Sequence, residues 1–209
     1  MNPFLVAVLA LMVAEPASAQ DASIAQASGP VFIVPAGGVK SFAAKGGESL
    51  IFEDTVRVGK GGIAHINLQD RGSVLLREET VLTLKGTASR CLLAFKFGEF
   101  LIGLRKKLEA GQSFKVRTPA AVAAVRGTLF WGKSDRADKQ TTYAGFGHTV
   151  AVTAKGKTVL VKPGKTVTVA FGEAPAEPVD STVTLDYAKN FAINGELQGV
   201  DELADDEPE

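Results

Sequence analysis

Residues 113–132 read SFKVRTPAAVAAVRGTLFWG, and the fold class is decided there. Phe114 and Val116 alternate with Lys115 and Arg117, the period of two expected of a half-buried strand. Thr118-Pro119 ends that strand, because Pro supplies no ladder donor. The run AAVAAV then reads as a second strand whose small side chains let neighbouring layers approach closely. Gly127 marks a bend or close backbone contact where a Cβ would clash. Leu129-Phe130-Trp131 opens a third, bulky strand. Three strands in so few residues leave no room for a helix.

The same grammar extends in both directions. Strands are predicted over 31–34, 39–43, 49–52, 55–58, 63–69, 73–77, 81–85, 91–97, 100–104, 113–117, 122–126, 129–132, 141–144, 149–153, 158–162 and 166–170. Between them stand Gly59-Lys60-Gly61-Gly62, Asp70-Arg71-Gly72, Lys85-Gly86, Lys155-Gly156 and Pro163-Gly164, all turn chemistry. The reading is an all-β single domain over 31–171, built of many short antiparallel strands as a sandwich or solenoid-like stack. Residues 20–30 read as a small-residue linker. Residues 172–209 read as a less ordered acidic tail holding a possible edge strand (STVTL) or short helix.

Charge separates along the chain. The total is neutral, 23 Lys+Arg against 23 Asp+Glu, yet residues 20–171 hold 22 basic and 11 acidic residues while 172–209 hold Lys189 against 11 acids. The basic body and acidic tail cancel in the sum. Neutrality gives no case for a nucleic-acid partner.

Reactive chemistry is sparse. The single Cys91 excludes an internal disulfide framework and a thiolate zinc cluster, and its strand context predicts a small buried hydrophobe. His65 and His148 stand far apart in alternating patterns, without ligands at metal spacing. Acids of the body occur singly or as adjacent pairs such as Glu53-Asp54, which a strand points to opposite faces. No catalytic residue, metal site or cofactor is expected.

Residues 4–14 (FLVAVLALMVA) form an apolar run followed by Pro16 and by Ala17-Ser18-Ala19. This predicts a signal peptide over 1–19, cleaved between Ala19 and Gln20. The run is too short to span a bilayer, which takes about 20 apolar residues. The mature chain is expected to lack a transmembrane segment and to be periplasmic or secreted.

Thr118-Pro119, Val125-Arg126-Gly127-Thr128 and Phe130 together resemble the hallmark of the FecR domain, TP followed by VRGT-x-F. That domain is named for the periplasmic part of the ferric-citrate signalling regulator. Residues 47–56 (GESLIFEDTV) resemble its opening, and Ala64, Ile66, Leu68, Asp70 and Gly72-Ser73, then Leu82 and Leu84, its hairpin and following strand. Arg71 lengthens the hairpin turn by one residue. The resemblance covers about residues 46–169, and it brings no catalytic residues. Family members that regulate sigma factors carry a cytoplasmic helical segment and a transmembrane helix ahead of this domain. A signal peptide stands in that place here, so the resemblance implies a stand-alone exported domain without direct anti-sigma activity.

The expected function is a non-enzymatic extracytoplasmic binding and signalling module recognising an envelope protein. Arg105, Lys106, Lys107 and Trp131 are the candidate contact residues; as alternatives, Lys in the basic run protects a sheet edge and Trp131 belongs to the core. A module for cell-wall or anionic polysaccharide is the other function carried forward.

Overall fold

The computed structural model describes residues 21–105, 108, 110–125 and 127–200. Its first eight strands are β1 (Ala22–Ser28), β2 (Val31–Val34), β3 (Phe42–Ala43), β4 (Ser49–Leu50), β5 (Thr55–Val58), β6 (Ile63–Asn67), β7 (Gly72–Leu76) and β8 (Thr80–Gly86). Then follow β9 (Arg90–Leu104), β10 (Ser113–Arg117), β11 (Val122–Val125), β12 (Leu129–Ser134) and β13 (Gln140–Gly145). The last are β14 (Val150–Ala154), β15 (Lys157–Val161), β16 (Lys165–Ala170) and β17 (Val179–Asp180), before a one-turn helix α1 (Leu185–Ala188) and a 3-10 turn at Lys189–Phe191.

All seventeen strands belong to one hydrogen-bonded network, which β9 folds into two layers. The first layer runs β4-β1-β6-β7-β9-β12-β13-β16-β17, using the second half of β9. The second runs β3-β2-β5-β8-β9-β10-β11-β14-β15, using the first half. The transfer occurs at Gly98, whose φ of +112° is open to glycine and whose Cβ would lie 2.3 Å from Thr80 Oγ1. Glu99 N–H donates to that hydroxyl at 3.1 Å, so the bend is pinned as well as permitted.

Alternation supplies the core. One side of each layer contributes to a continuous apolar cluster that includes Ile24, Ile66, Val74, Ile102 and Tyr143 from the first layer and Ile33, Val56, Leu93, Val116 and Val152 from the second. The all-β sandwich is therefore observed, with one departure: β9 and β10 run parallel, pairing Ser113 with Arg90 through Arg117 with Ala94. Every other strand pairing among the described residues is antiparallel.

Four readings change. The linker at 20–30 contains β1, a strand of weak sequence signal that is ordered by pairing with β6 on one side and β4 on the other. The strands expected at 91–97 and 100–104 are one bent strand. His148 lies in the loop before β14 rather than within it. The apolar residues of 183–200 are docked: Val183, Ala188, Phe191, Leu197 and Val200 pack on Leu75, Leu101, Leu129, Trp131 and Ala144, on the outer side of the first layer. The short helix expected in this region is α1, whereas STVTL (181–185) forms no strand: the edge strand is β17 at Val179–Asp180, just before it, paired to β16. Cys91 is buried, as expected. The signal segment 1–19, the cleavage pair Ala19 and Gln20, and residues 201–209 lie outside the described residues.

Candidate interaction surface

The TP and VRGT residues sit where the chain turns between strands and crosses between layers. Thr118 caps the β10–β11 turn: its N–H donates to Ala121 O at 2.9 Å, and its Oγ1 accepts from Ala121 N–H at 3.3 Å. That hydroxyl is buried and also meets Tyr143 Oη at 3.1 Å and accepts from Thr141 Oγ1 at 2.9 Å. Pro119 is exposed at the turn. Burial raises the Tyr143 phenol well above the usual tyrosine range, so it stays a neutral hydrogen-bonding group.

After β11, Val125 is buried and Gly127 takes φ +56°, turning the chain out of the second layer and into the first. Thr128 is buried and donates to His148 O at 3.0 Å. Phe130 enters the core edge-on to Phe100, with centroids 6.2 Å apart. The motif is thus a folding device, and Arg126 lies outside the described residues. Asp54, from the opening of the resemblance, is structural too, accepting Ala36 N–H at 2.8 Å and Ile51 N–H at 3.0 Å.

The two outer faces differ. That of the first layer is apolar along β7, β9 and β12 and is covered by residues 183–200. His65 Nε2 donates to Phe191 O at 2.6 Å, and Arg77 donates to Asn190 O. Tyr187 stands edge-on to Trp131 at 6.2 Å and to Phe191 at 6.4 Å. Trp131 Nε1 donates to Glu99 Oε1 at 2.9 Å. Desolvation first, and the Glu99 carboxylate second, push the Tyr187 phenol up to about 12. Trp131, expected as a contact residue, is therefore 6% exposed and roofed by the chain itself. Arg105 is exposed beside Gly199, whereas Lys106 and Lys107 lie outside the described residues.

Among the described residues, the outer face of the second layer is exposed. Strand pairing sets its outward residues in three rows. The first is Phe32, Arg57, Val81 and Phe97. The second runs from Thr55 and Thr83 through Ala94, Arg117 and Val122 to Thr153 and Thr158, and the third is Lys85, Leu92, Lys115, Ala124, Ala151 and Leu160. With β9 counted only as far as Phe97, the strand segments of this layer contain no Asp or Glu, while Arg57, Lys85, Arg90, Lys96, Lys115, Arg117 and Lys157 are all basic. Lys85 pairs with Glu53 at 3.0 Å and Lys157 with Glu177 at 2.9 Å. No ion pair is found for Arg57, Lys96, Lys115 or Arg117 among the described residues.

A shallow groove of about 400 Å³ lies at one end of the face, lined by Phe32, Val81 and Phe97 with Arg57, Lys60 and Glu79. Another of about 290 Å³ lies at the opposite end, between Lys115, Ala124, Ala151 and Leu160. This face escaped the sequence reading, although its signal was present as Lys or Arg on the polar phase of successive strands. Among the described residues no cluster of His, Cys, Asp or Glu could hold a metal ion, and no helix is long and apolar enough to cross a membrane.

Comparison with known proteins places this geometry. The family described as FecR protein matches residues 54–157. Two crystal structures of a candidate anti-sigma factor from Parabacteroides distasonis, at 2.50 and 1.65 Å resolution, share the fold with a TM-score of 0.56 and 20% identity. The match covers 64% of this chain and 62% and 63% of theirs, so the chain spans somewhat under two thirds of their length. No curated protein matches.

Proposed function

Residues 54–157 of this chain are a FecR domain, and from that premise we propose a non-enzymatic binding and signalling module that works outside the cytoplasm and recognises a protein of the cell envelope. One observation carries the reading beyond the family itself. Residues 183–200 close one outer face of the sandwich, whereas the other is exposed, basic and flat among the described residues. A sheet face that is exposed, charged in one sign and bordered by apolar grooves is suited to a macromolecular partner. The apolar run at 4–14 and the Ala17-Ser18-Ala19 site support export.

The test has two parts. The full chain is expressed with a carboxy-terminal tag, and the mature amino terminus is sequenced from the envelope fraction; Gln20 is expected. Crosslinking in intact cells then yields one envelope protein at near-stoichiometric amounts. Retention in the cytoplasm with residues 1–19 attached, or no specific crosslink, refutes the reading. Crosslinking of Lys106→Glu/Lys107→Glu decides whether the basic run belongs to the contact, since an unchanged yield removes it.

A further inference from the structure

We propose that the open outer face of the second layer docks an extended acidic polypeptide segment of the partner, with an apolar side chain of that segment seated between Phe32, Val81 and Phe97. The proposal rests on the reading above and names the surface and the chemistry it takes.

Charge complementarity identifies the occupant. Same-face residues on one strand are about 7 Å apart and neighbouring strands about 4.8 Å apart. Lys115 and Arg117 are thus one such step apart on β10. Lys85 and Lys115 flank Leu92 in one row, about 10 Å apart. This is an array of separated cations rather than a pocket converging on a single anion. Thr, Ala and Val between them keep the surface flat and leave room for a chain to lie across it. Lys85 shares its charge with Glu53, whereas Arg57, Lys96, Lys115 and Arg117 have no ion-pair partner among the described residues, and these raise the local potential and draw in a polyanion.

The groove separates a polypeptide from other polyanions. Phe32 is 39% exposed, and together with Val81 and Phe97 it offers an apolar wall next to the Arg57 and Lys60 cations. A polypeptide places carboxylates and one aromatic or aliphatic side chain along the same strand of atoms. A uronic-acid polysaccharide has carboxylates and no such side chain. The Arg136 guanidinium stands over the Phe97 ring, 4.8 Å from its centroid, and fixes one side of this wall. Glu79 at the groove rim disfavours an acid directly above it, so the apolar residue of the ligand belongs at that point.

The purified chain is titrated with three probes: a fluorescein-labelled peptide of alternating Glu and Gly with one central Phe, polygalacturonate, and phosphatidylglycerol vesicles. The peptide is expected to bind most tightly and to weaken with added salt. Lys115→Glu/Arg117→Glu lowers its affinity roughly tenfold or more, and Phe32→Ala removes the advantage of the central Phe over a Phe-free peptide. Lys165→Glu/Lys189→Glu, on β16 of the first layer and in the segment covering that layer's outer face, has the same change in net charge away from the face and leaves binding within about twofold. Circular dichroism confirms that each variant is folded. Equal binding by wild type and Lys115→Glu/Arg117→Glu overturns the proposal, as does tighter binding of polygalacturonate or vesicles than of the peptide. In cells, a crosslink that survives Lys115→Glu/Arg117→Glu refutes this surface while leaving the binding function standing. Loss of every crosslink in the wild type refutes the function, and the peptide titration still decides the surface.

Discussion

Phe191→Ala detaches residues 183–200 from the sandwich and uncovers Trp131 without unfolding the core. Phe191 is fully buried, and it is the largest side chain that this segment contributes to the cluster on the outer face of the first layer. Truncating a buried Phe to Ala costs about 3–5 kcal/mol. The two hydrogen bonds that tie the neighbouring backbone down, from His65 to Phe191 O and from Arg77 to Asn190 O, are worth about 0.5–1.5 kcal/mol each for the neutral case and up to about 3 for a charged donor. Together they fall short of offsetting the lost burial and the entropy of ordering the segment. Phe191 does not belong to the cluster between the layers, so the sandwich keeps its packing. Trp131 is the single tryptophan of the chain and lies under this roof, so its fluorescence reports the event directly. The variant is expected to show red-shifted emission, stronger iodide quenching and new protease cleavage within 181–200, while far-ultraviolet circular dichroism retains its strand signature. Phe171→Ala, at a side chain 62% exposed, serves as the control and changes none of these. Emission and quenching of Phe191→Ala identical to wild type would refute the reasoning, because the segment would then be held by something other than this side chain.

Three further outcomes follow from the packing. Gly132→Ala places a Cβ 2.3 Å from the Phe100 ring, and overpacking of that kind costs about 1–3 kcal/mol, read as a lower urea midpoint at unchanged slope. Tyr143→Phe removes a buried hydroxyl from the Thr118 network and lowers stability by about 1–2 kcal/mol; a midpoint unchanged from wild type would show that the network is energetically idle. Burial pushes the Cys91 thiol up to about 11, so thiol reagents at pH 8 label it only after unfolding. Because the folded value lies above the unfolded one, its contribution to stability is complete below about pH 9 and is lost as pH rises towards 11, which pH-dependent urea melts over that interval measure.

The legible parts of the fold were those whose residues carry their own period. The strands at 55–58 and 113–117 match their predicted bounds, since Val and Phe alternate there with polar partners, and the strand at 31–34 matches as a β-branched and aromatic run, VFIV, bounded by Pro30 and Pro35. Strand β1, with the sequence ASIAQAS, has a single branched apolar residue, and its order comes from β4 and β6. The TP and VRGT residues were found as a motif, and the structure explains them as a hydroxyl cap and a layer crossing. Trp131 was read as either a contact or a core residue, and the structure buries it; the choice was not legible locally, because what covers it lies more than fifty residues further along the chain.

Period-two patterning, turn chemistry and one cysteine are local properties, so the sequence by itself determined an all-β, disulfide-free body with a basic stretch and an acidic one. Which face of that body is covered and which is open depends on registers between strands distant in sequence, and on the anchoring of Phe191 and Val200 against β7, β9 and β12. Only the tertiary structure decided this. A strand's pattern separates inside from outside, but the sum of cations on one outer face is set by which strands become neighbours, and that is a property of the whole sheet.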